Sequence, residues 1–249
     1  ISNPELAERY KIKAGGKILL YGPPGTGKTF IAKAIAGEVN AVFYDVNCQD
    51  LISKYMGESS KRLDSLFEQA QKNEKSIIFF DEFDSVASKR GDSSGVDAEM
   101  ARFVATFLTK VDGFKKSKTN QMLLLIAATN RPWALDNAML RGGRFDTQVY
   151  VGVPDSAARE FLVNKSLKDI PLDDDVNLQK LAMALEGYGG GDIVAICEKI
   201  KLKAYRRAID SGIPQNITRE DCNSVLADSR NIITAEELSK FELFRIGKI

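Results

Sequence analysis

Histidine is absent from all 249 residues, and cysteine occurs three times, at Cys48, Cys197 and Cys222, without CxxC spacing. The first absence argues against a zinc site, and an odd, scattered set of thiols fits a reducing compartment, read here as cytoplasmic, better than a disulfide framework. Neither sign of charge is in excess, with 35 Lys and Arg against 34 Asp and Glu. No net field therefore draws the chain to nucleic acid or to an anionic membrane. No apolar run approaches the roughly 20 residues of a membrane span, and the N-terminus lacks the pattern of a signal peptide. Internal repeats and low-complexity segments are also missing. The chain opens on Ile1 rather than methionine, which suggests a piece of something longer.

What is present is an ordinary globular composition, 44% apolar and 28% charged, enough for one large domain or two smaller ones. The stretch that organises it is Gly22-Pro23-Pro24-Gly25-Thr26-Gly27-Lys28-Thr29. It follows the apolar run Ile18 to Tyr21 and precedes a helical pattern from Phe30 to Val39, the context in which Gly, four residues, Gly-Lys-Ser/Thr binds phosphate. Glycines let the backbone curl so that successive N–H groups point at an anion, and the helix behind adds its positive end. Lys28 is placed to reach the outer phosphates, and the Thr29 hydroxyl to ligate Mg²⁺.

The remaining pattern alternates strands and helices. Asn3 to Tyr10 reads as a short helix, Lys17 to Tyr21 as the first strand and Ala41 to Val46 as the second. A helical turn follows at Gln49 to Lys54, then an amphipathic helix with Leu63, Leu66, Phe67 and Ala70 on one face. Ile77 to Phe80 is an uninterrupted apolar run, as expected of a parallel strand covered on both faces, and Leu123 to Ala128 repeats it. Between them Met100, Phe103, Val104, Phe107, Leu108 and Val111 recur at helical spacing, and Val149 to Val151 makes a fifth strand. This order predicts a parallel α/β sheet with ligand at the carboxyl ends of its strands. After residue 154 the strands stop, and Ala157–Leu167, Leu178–Leu185, Gly191–Ala208, Thr218–Ala227 and Ala235–Phe244 read as helices, the last with a capping box from Thr234 to Glu237. The predicted division is residues 1–154, an α/β nucleotide-binding part, and 155–249, a small all-helical part.

Asp81 and Glu82 end the third strand. Adjacent carboxylates there face opposite ways, so one can support Mg²⁺ while the other faces a water. Asn130 ends the neighbouring strand, where its amide would suit a γ-phosphate or its water; locally it reads equally as a turn-former before Arg131-Pro132. Arg141 and Arg144 flank Gly142-Gly143, either as cations for transition-state charge or as a solvated basic turn. Tyr55 and Met56, beside Lys54, either tuck into the core or project to grip something, and spacing does not separate the two.

With these residues in place the chain resembles the AAA family of ATPases within the AAA+ group. Gly22 to Thr29 resembles Walker A, Ile77 to Glu82 Walker B, Ala128 to Pro132 the first sensor, and Leu140 to Asp146 the arginine-finger segment. The resemblance implies a P-loop fold with a five-stranded parallel sheet and a helical lid, assembled as a six-membered ring with ATP and Mg²⁺ at each subunit junction. It assigns phosphate contacts to Pro24, Gly25, Thr26, Gly27, Lys28 and Thr29, metal binding to Thr29 and Asp81, and water activation to Glu82 with Asn130. Arg141 and Arg144 would reach a neighbour's site. Lys54-Tyr55-Met56 resembles a first pore loop that grips an extended polypeptide, the segment from Gly91 to Gly95 a second, and Asp112-Gly113-Phe114 a relay between subunits. Gly187 to Asp192 resembles the lid motif near the adenine, with Gly190 and Gly191 as contacts; relatives usually carry serine and alanine where Gly189 and Gly191 stand. Many relatives also place histidine or asparagine where Ser166 lies.

Pro132-Trp133 and the Lys54 to Ser59 stretch are similar to microtubule-severing and scission-complex-disassembling members, whereas Gly143 to Asp146 and Lys240 to Phe244 are similar to the segregases. The implied activity is ATP-driven unfolding, translocation or disassembly of proteins through a central pore. The alternatives are the motor of an ATP-dependent zinc protease, an AAA+ machine acting on nucleic acid, and a catalytically silent scaffold.

Overall fold

The structure, a computed structural model, describes residues 9–10, 15–53, 58–87, 95–113 and 122–249. Of the predicted elements, most of the helix at Asn3 to Tyr10 lies outside these residues, as do Lys54, Tyr55 and Met56 of the first pore loop, Gly91 to Ser94 of the second, and Phe114. The described chain divides into two units. One contains the chain through Gly22 and Lys28–Tyr150; the other gathers Pro23–Gly27 with Val151–Lys248.

The first unit is built on a five-stranded parallel sheet. Its strands are β1 (Gly15–Tyr21), β2 (Val42–Asn47), β3 (Lys75–Asp81), β4 (Met122–Thr129) and β5 (Thr147–Tyr150), in the order β2-β3-β4-β1-β5. The chain leaves β1, crosses two strand positions to the far edge, and returns through β3 and β4 to β1. Register then aligns the carboxyl ends. Tyr21 pairs with Thr129, Phe80 with Ala127 and Asn47 with Asp81, so Gly22, Asn47, Asp81 and Asn130 all emerge at one edge of the sheet.

Burial explains which runs became inner strands. Ser76 to Phe80 are buried throughout, whereas edge strand β2 is only partly covered. The fifth strand runs Thr147–Tyr150, opposite Ile18–Tyr21, and Val151 lies beyond it because β1 ends at Tyr21. The flanking helices are α1 (Lys28–Glu38), α2 (Cys48–Ser53), α3 (Ser59–Ala70), the single turn α4 (Asp84–Ala87) and α5 (Gly95–Gly113). Helix α3 buries Leu63, Phe67 and Ala70, the face its spacing predicted. The core they close is rich in aromatics, with Phe67, Phe80, Phe83, Phe103, Phe107 and Phe145 all essentially inaccessible.

In the second unit the helices are α6 (Ser156–Ser166), α7 (Leu178–Ala184), α8 (Gly190–Ser211), α9 (Arg219–Asp228) and α10 (Ala235–Arg245). Val163, Leu181, Leu185, Ile193, Cys197, Ile200, Ile217 and Cys222 make its core. Helix α8 ends at Gly212 in the left-handed region, φ 68°, where a side chain would be strained. The reciprocal capping box predicted at Thr234 forms instead at Thr218. There Thr218 Oγ1 accepts from Asp221 N and the Asp221 carboxylate accepts from Thr218 N, while Thr234 only accepts from Glu237 N. Asp221 can reach back where Glu237 does not because it is buried and also held by Arg207 at 2.6 Å.

Candidate nucleotide site

The phosphate loop begins where β1 ends. Gly25 and Gly27 sit at φ 70° and 94°, conformations that a Cβ would strain, and nothing stands within 4 Å of a Cβ built on Gly27. Thr26 Oγ1 donates to Pro23 O at 2.9 Å, tightening the turn. Within the second unit, Gly191 N donates to Gly25 O at 2.8 Å. A Cβ at Gly189 would come within 3.2 Å of Pro24 O and Gly25 O, so glycine in the lid motif is what lets that backbone approach so closely. Gly190 is the first residue of α8.

Lys28 and Thr29 open α1 in the first unit. The Lys28 ammonium is buried and donates to Gly22 O at 2.8 Å. Burial pulls its pKa down to about 8, against the opposing pull of Asp81 and Asp84. A buried cation with that deficit gains from an arriving polyphosphate, which supplies the countercharge. Thr29 Oγ1 donates to Asp81 Oδ2 at 3.0 Å, bringing together a hydroxyl and a carboxylate. Among the described residues no cluster of three His, Cys, Asp or Glu forms a cage for a cation. Two hard oxygen ligands with room for water and phosphate oxygens suit Mg²⁺, which dehydrates reluctantly.

Glu82 follows in an unusual conformation, at φ 51°. A non-glycine residue there is strained by about 1–3 kcal/mol, and such strain persists only where neighbours over-determine it. Three bonds do so. Glu82 N donates to Asp81 Oδ1, Phe83 N to Ala128 O and Ser85 N to Glu82 O, each at 2.9 Å. The Glu82 carboxylate itself accepts from Asn47 Nδ2 at 3.3 Å.

Asn130 is positioned from its neighbour. Thr129 Oγ1 donates to Asp84 Oδ1 at 2.6 Å and accepts from Arg131 N at 2.9 Å, which ties the end of β4 to the turn after β3. Asn130 Oδ1 is buried with no donor among the described residues. A buried acceptor left open calls for a partner, and a hydrogen of a bound water meets that demand.

The two arginines differ. Arg144 is held within its own chain, bidentate to Asp112 at 3.2 and 2.8 Å and to Ala138 O at 2.7 Å. Arg141 is exposed; its carbonyl accepts from Arg144 N at 3.0 Å, but its side chain makes no hydrogen bond or ion pair among the described residues. Neither is bonded to Asp81, Glu82 or Asn130. Sequence reasoning thus found Lys28, Thr29, Asp81, Glu82 and Asn130, which the fold gathers at one sheet edge. It missed Asn47 and the Asp84–Thr129 bond. A polar residue ending β2 was the available signal for Asn47; the bond depends on register and had none.

A family model described as ATPase family associated with various cellular activities (AAA) matches residues 18–153, and one for the AAA+ lid domain matches residues 175–224. Among curated relatives, a cell division cycle protein 48 homolog of Archaeoglobus fulgidus is 44% identical over 84% of this chain and 28% of its own length. Protein SAV of Sulfolobus acidocaldarius is 43% identical over 84% of this chain and 26% of its own. Protein CdcH of Halobacterium salinarum is 40% identical over 95% and 31%. The chain therefore spans between a quarter and a third of the length of the relatives it matches.

Proposed function

The chain belongs to the AAA family of ATPases, and from that premise we propose that it is the motor module of a six-membered ring that pulls, unfolds or disassembles protein substrates. Residues 1–154 serve as the nucleotide-binding part and residues 155–249 as its lid. The observation that carries this reading is the assembly at one sheet edge of Lys28, Thr29, Asp81, Glu82 and a buried, open Asn130 acceptor.

In this reading the backbone N–H groups of Gly25, Thr26 and Gly27, in the loop that Pro24 shapes without a donor of its own, hold the outer phosphates of ATP together with Lys28. Thr29 and Asp81 hold Mg²⁺, which when bound neutralises charge on the phosphoryl oxygens. Glu82 accepts a proton from water as the water oxygen bonds to the γ-phosphorus and the bond to the β-phosphate oxygen breaks. Asn130 Oδ1 accepts the water's other hydrogen, so the attacking lone pair is aimed. Asn47 holds the Glu82 carboxylate by its 3.3 Å bond. Arg141, whose side chain has no partner among the described residues, is the better placed of the two arginines to meet phosphoryl charge in a neighbour, and Arg144 shapes the turn that presents it. By their resemblance to a first pore loop, Lys54, Tyr55 and Met56 are assigned the grip on the polypeptide. Gly190 and Gly191 are assigned to the nucleotide by their resemblance to the lid motif.

The role on proteins is carried by the resemblance of Lys54-Tyr55-Met56 to a first pore loop. The test is ATPase stimulation by a chemically unfolded polypeptide. Tyr55→Ala is expected to keep basal hydrolysis within about threefold while losing stimulation and unfolding of a tagged substrate; unchanged unfolding would remove the pore-loop role.

A further inference from the structure

The strained Glu82 sits between two anchors, Asp81 before it and Phe83 after it. Phe83 is fully buried, and its ring centroid lies 5.2 Å from Phe107 of α5 and 5.2 Å from Phe145. Phe107 and Phe145 are themselves stacked at 6.1 Å and 15°. The three rings form a triangle joining the turn after β3, helix α5 and the arginine turn, and Phe80 of β3 packs on it, 6.3 Å from Phe83 and 5.2 Å from Phe107. A second link runs parallel to it. Phe145 follows Arg144, whose guanidinium grips Asp112, five residues beyond Phe107 on the same helix. The arginine turn is thus fastened twice to α5, by ring packing and by an ion pair, and the ring packing continues to the residue after Glu82.

We propose that Phe145, through Phe83 and with Phe107, is a positioning residue for Glu82, so that displacement of the arginine turn in one subunit changes water activation in that same subunit. Close packing transmits such displacement because a filled core shifts between discrete arrangements and has no slack to absorb it. Ring edges and faces also fix orientation in a way an aliphatic chain of similar size does not. The proposal rests on the reading of Glu82 as the residue that takes the water's proton. It adds that this residue's geometry is set from the arginine turn of its own chain. Spatial connection by itself is not coupling, so the test measures the coupling energy.

The experiment compares Phe145→Leu and Phe107→Leu with Phe67→Leu in the whole chain. Phe67 is equally buried in the same core and is one ring removed from the triangle, stacking at 6.5 Å on Phe80, which itself lies 6.3 Å from Phe83 and 5.2 Å from Phe107. Steady-state ATPase gives kcat and KM, a fluorescent ATP analogue gives nucleotide affinity, and hydrogen exchange reads the amides of residues 82–86. Phe145→Leu is expected to lower kcat about tenfold, a loss typical of slight misplacement of a reacting group, with KM and analogue affinity within about twofold. Exchange at the Phe83 amide, bonded to Ala128 O, is expected to accelerate in Phe145→Leu and Phe107→Leu and to stay unchanged in Phe67→Leu. In a Glu82→Gln background, Phe145→Leu is expected to lower the residual rate by less than twofold, because the group it positions no longer takes the proton. Equal loss in Phe67→Leu, or a full tenfold further loss in the Glu82→Gln background, would overturn the proposal. A failure of Glu82→Gln itself to slow hydrolysis would instead remove the role of Glu82, and unaltered exchange at Phe83 in Phe145→Leu would remove the packing link independently of any activity.

Discussion

Glu82 concentrates at one residue what the fold has to reconcile: a carboxylate at a strand end, a left-handed backbone, and a hydrogen bond from Asn47. Glu82→Gln keeps size and hydrogen bonding but not basicity, so single-turnover hydrolysis is expected to fall by at least about 100-fold while nucleotide affinity is retained. The strain predicts a separate result in stability. Glycine at this position removes the Cβ conflict of φ 51°, so Glu82→Gly is expected to be more stable than Glu82→Ala by about 1 kcal/mol in urea unfolding, the reverse of their order in a helix. Equal stabilities would mean that the conformation carries no strain. Lys28, Thr29, Asp81 and Asn130 were legible in the sequence because their spacing to glycines and strand ends is local. Asn47 beside Glu82, Asp84 beneath Thr129 and the grip of Asp112 on Arg144 join residues between 32 and 45 positions apart, and only the tertiary fold brings them together.

Among elements, α9 shows how a cap becomes a structural tie. Burial alone would raise the pKa of Asp221, but bonds from Thr218 backbone and hydroxyl and from Arg207 outweigh it and hold the carboxyl below its ordinary value. A carboxyl depressed in the folded state contributes stability above its unfolded pKa and loses it as pH falls through the folded one. Asp221→Asn leaves Arg207 without its countercharge and is expected to cost about 3 kcal/mol at pH 7. In urea titrations that difference is expected to begin to shrink as pH falls below about 4, the ordinary carboxyl value at which the unfolded chain takes up its proton, and to vanish only once pH passes the lower folded value at which wild-type Asp221 is itself protonated; a difference independent of pH would contradict the charge argument. The helix was legible, since Thr218 to Ala227 read as one before the fold was known. The strength of its cap was not, because Arg207 lies on another helix. Strand boundaries were similarly displaced by a residue or two wherever pairing rather than side-chain pattern ends a strand, as at Val151.

At the scale of the molecule, strand and helix alternation followed by helices alone was enough to read a parallel α/β part and a helical part. The strand order β2-β3-β4-β1-β5 follows from parallel connections that return to the first strand. What a single chain does not contain is its neighbour. Arg141, exposed and with no side-chain partner among the described residues while Arg144 is bound to Asp112 and Ala138, is a feature that a second subunit would explain. The most direct measurement is specific ATPase activity against protein concentration, repeated with increasing Arg141→Ala chain mixed into wild type. A ring with shared sites predicts a steep rise with concentration and a loss in the mixtures greater than the fraction of variant added. A specific activity independent of concentration, with mixtures falling only in proportion to dilution, would contradict it and make each chain a complete ATPase by itself.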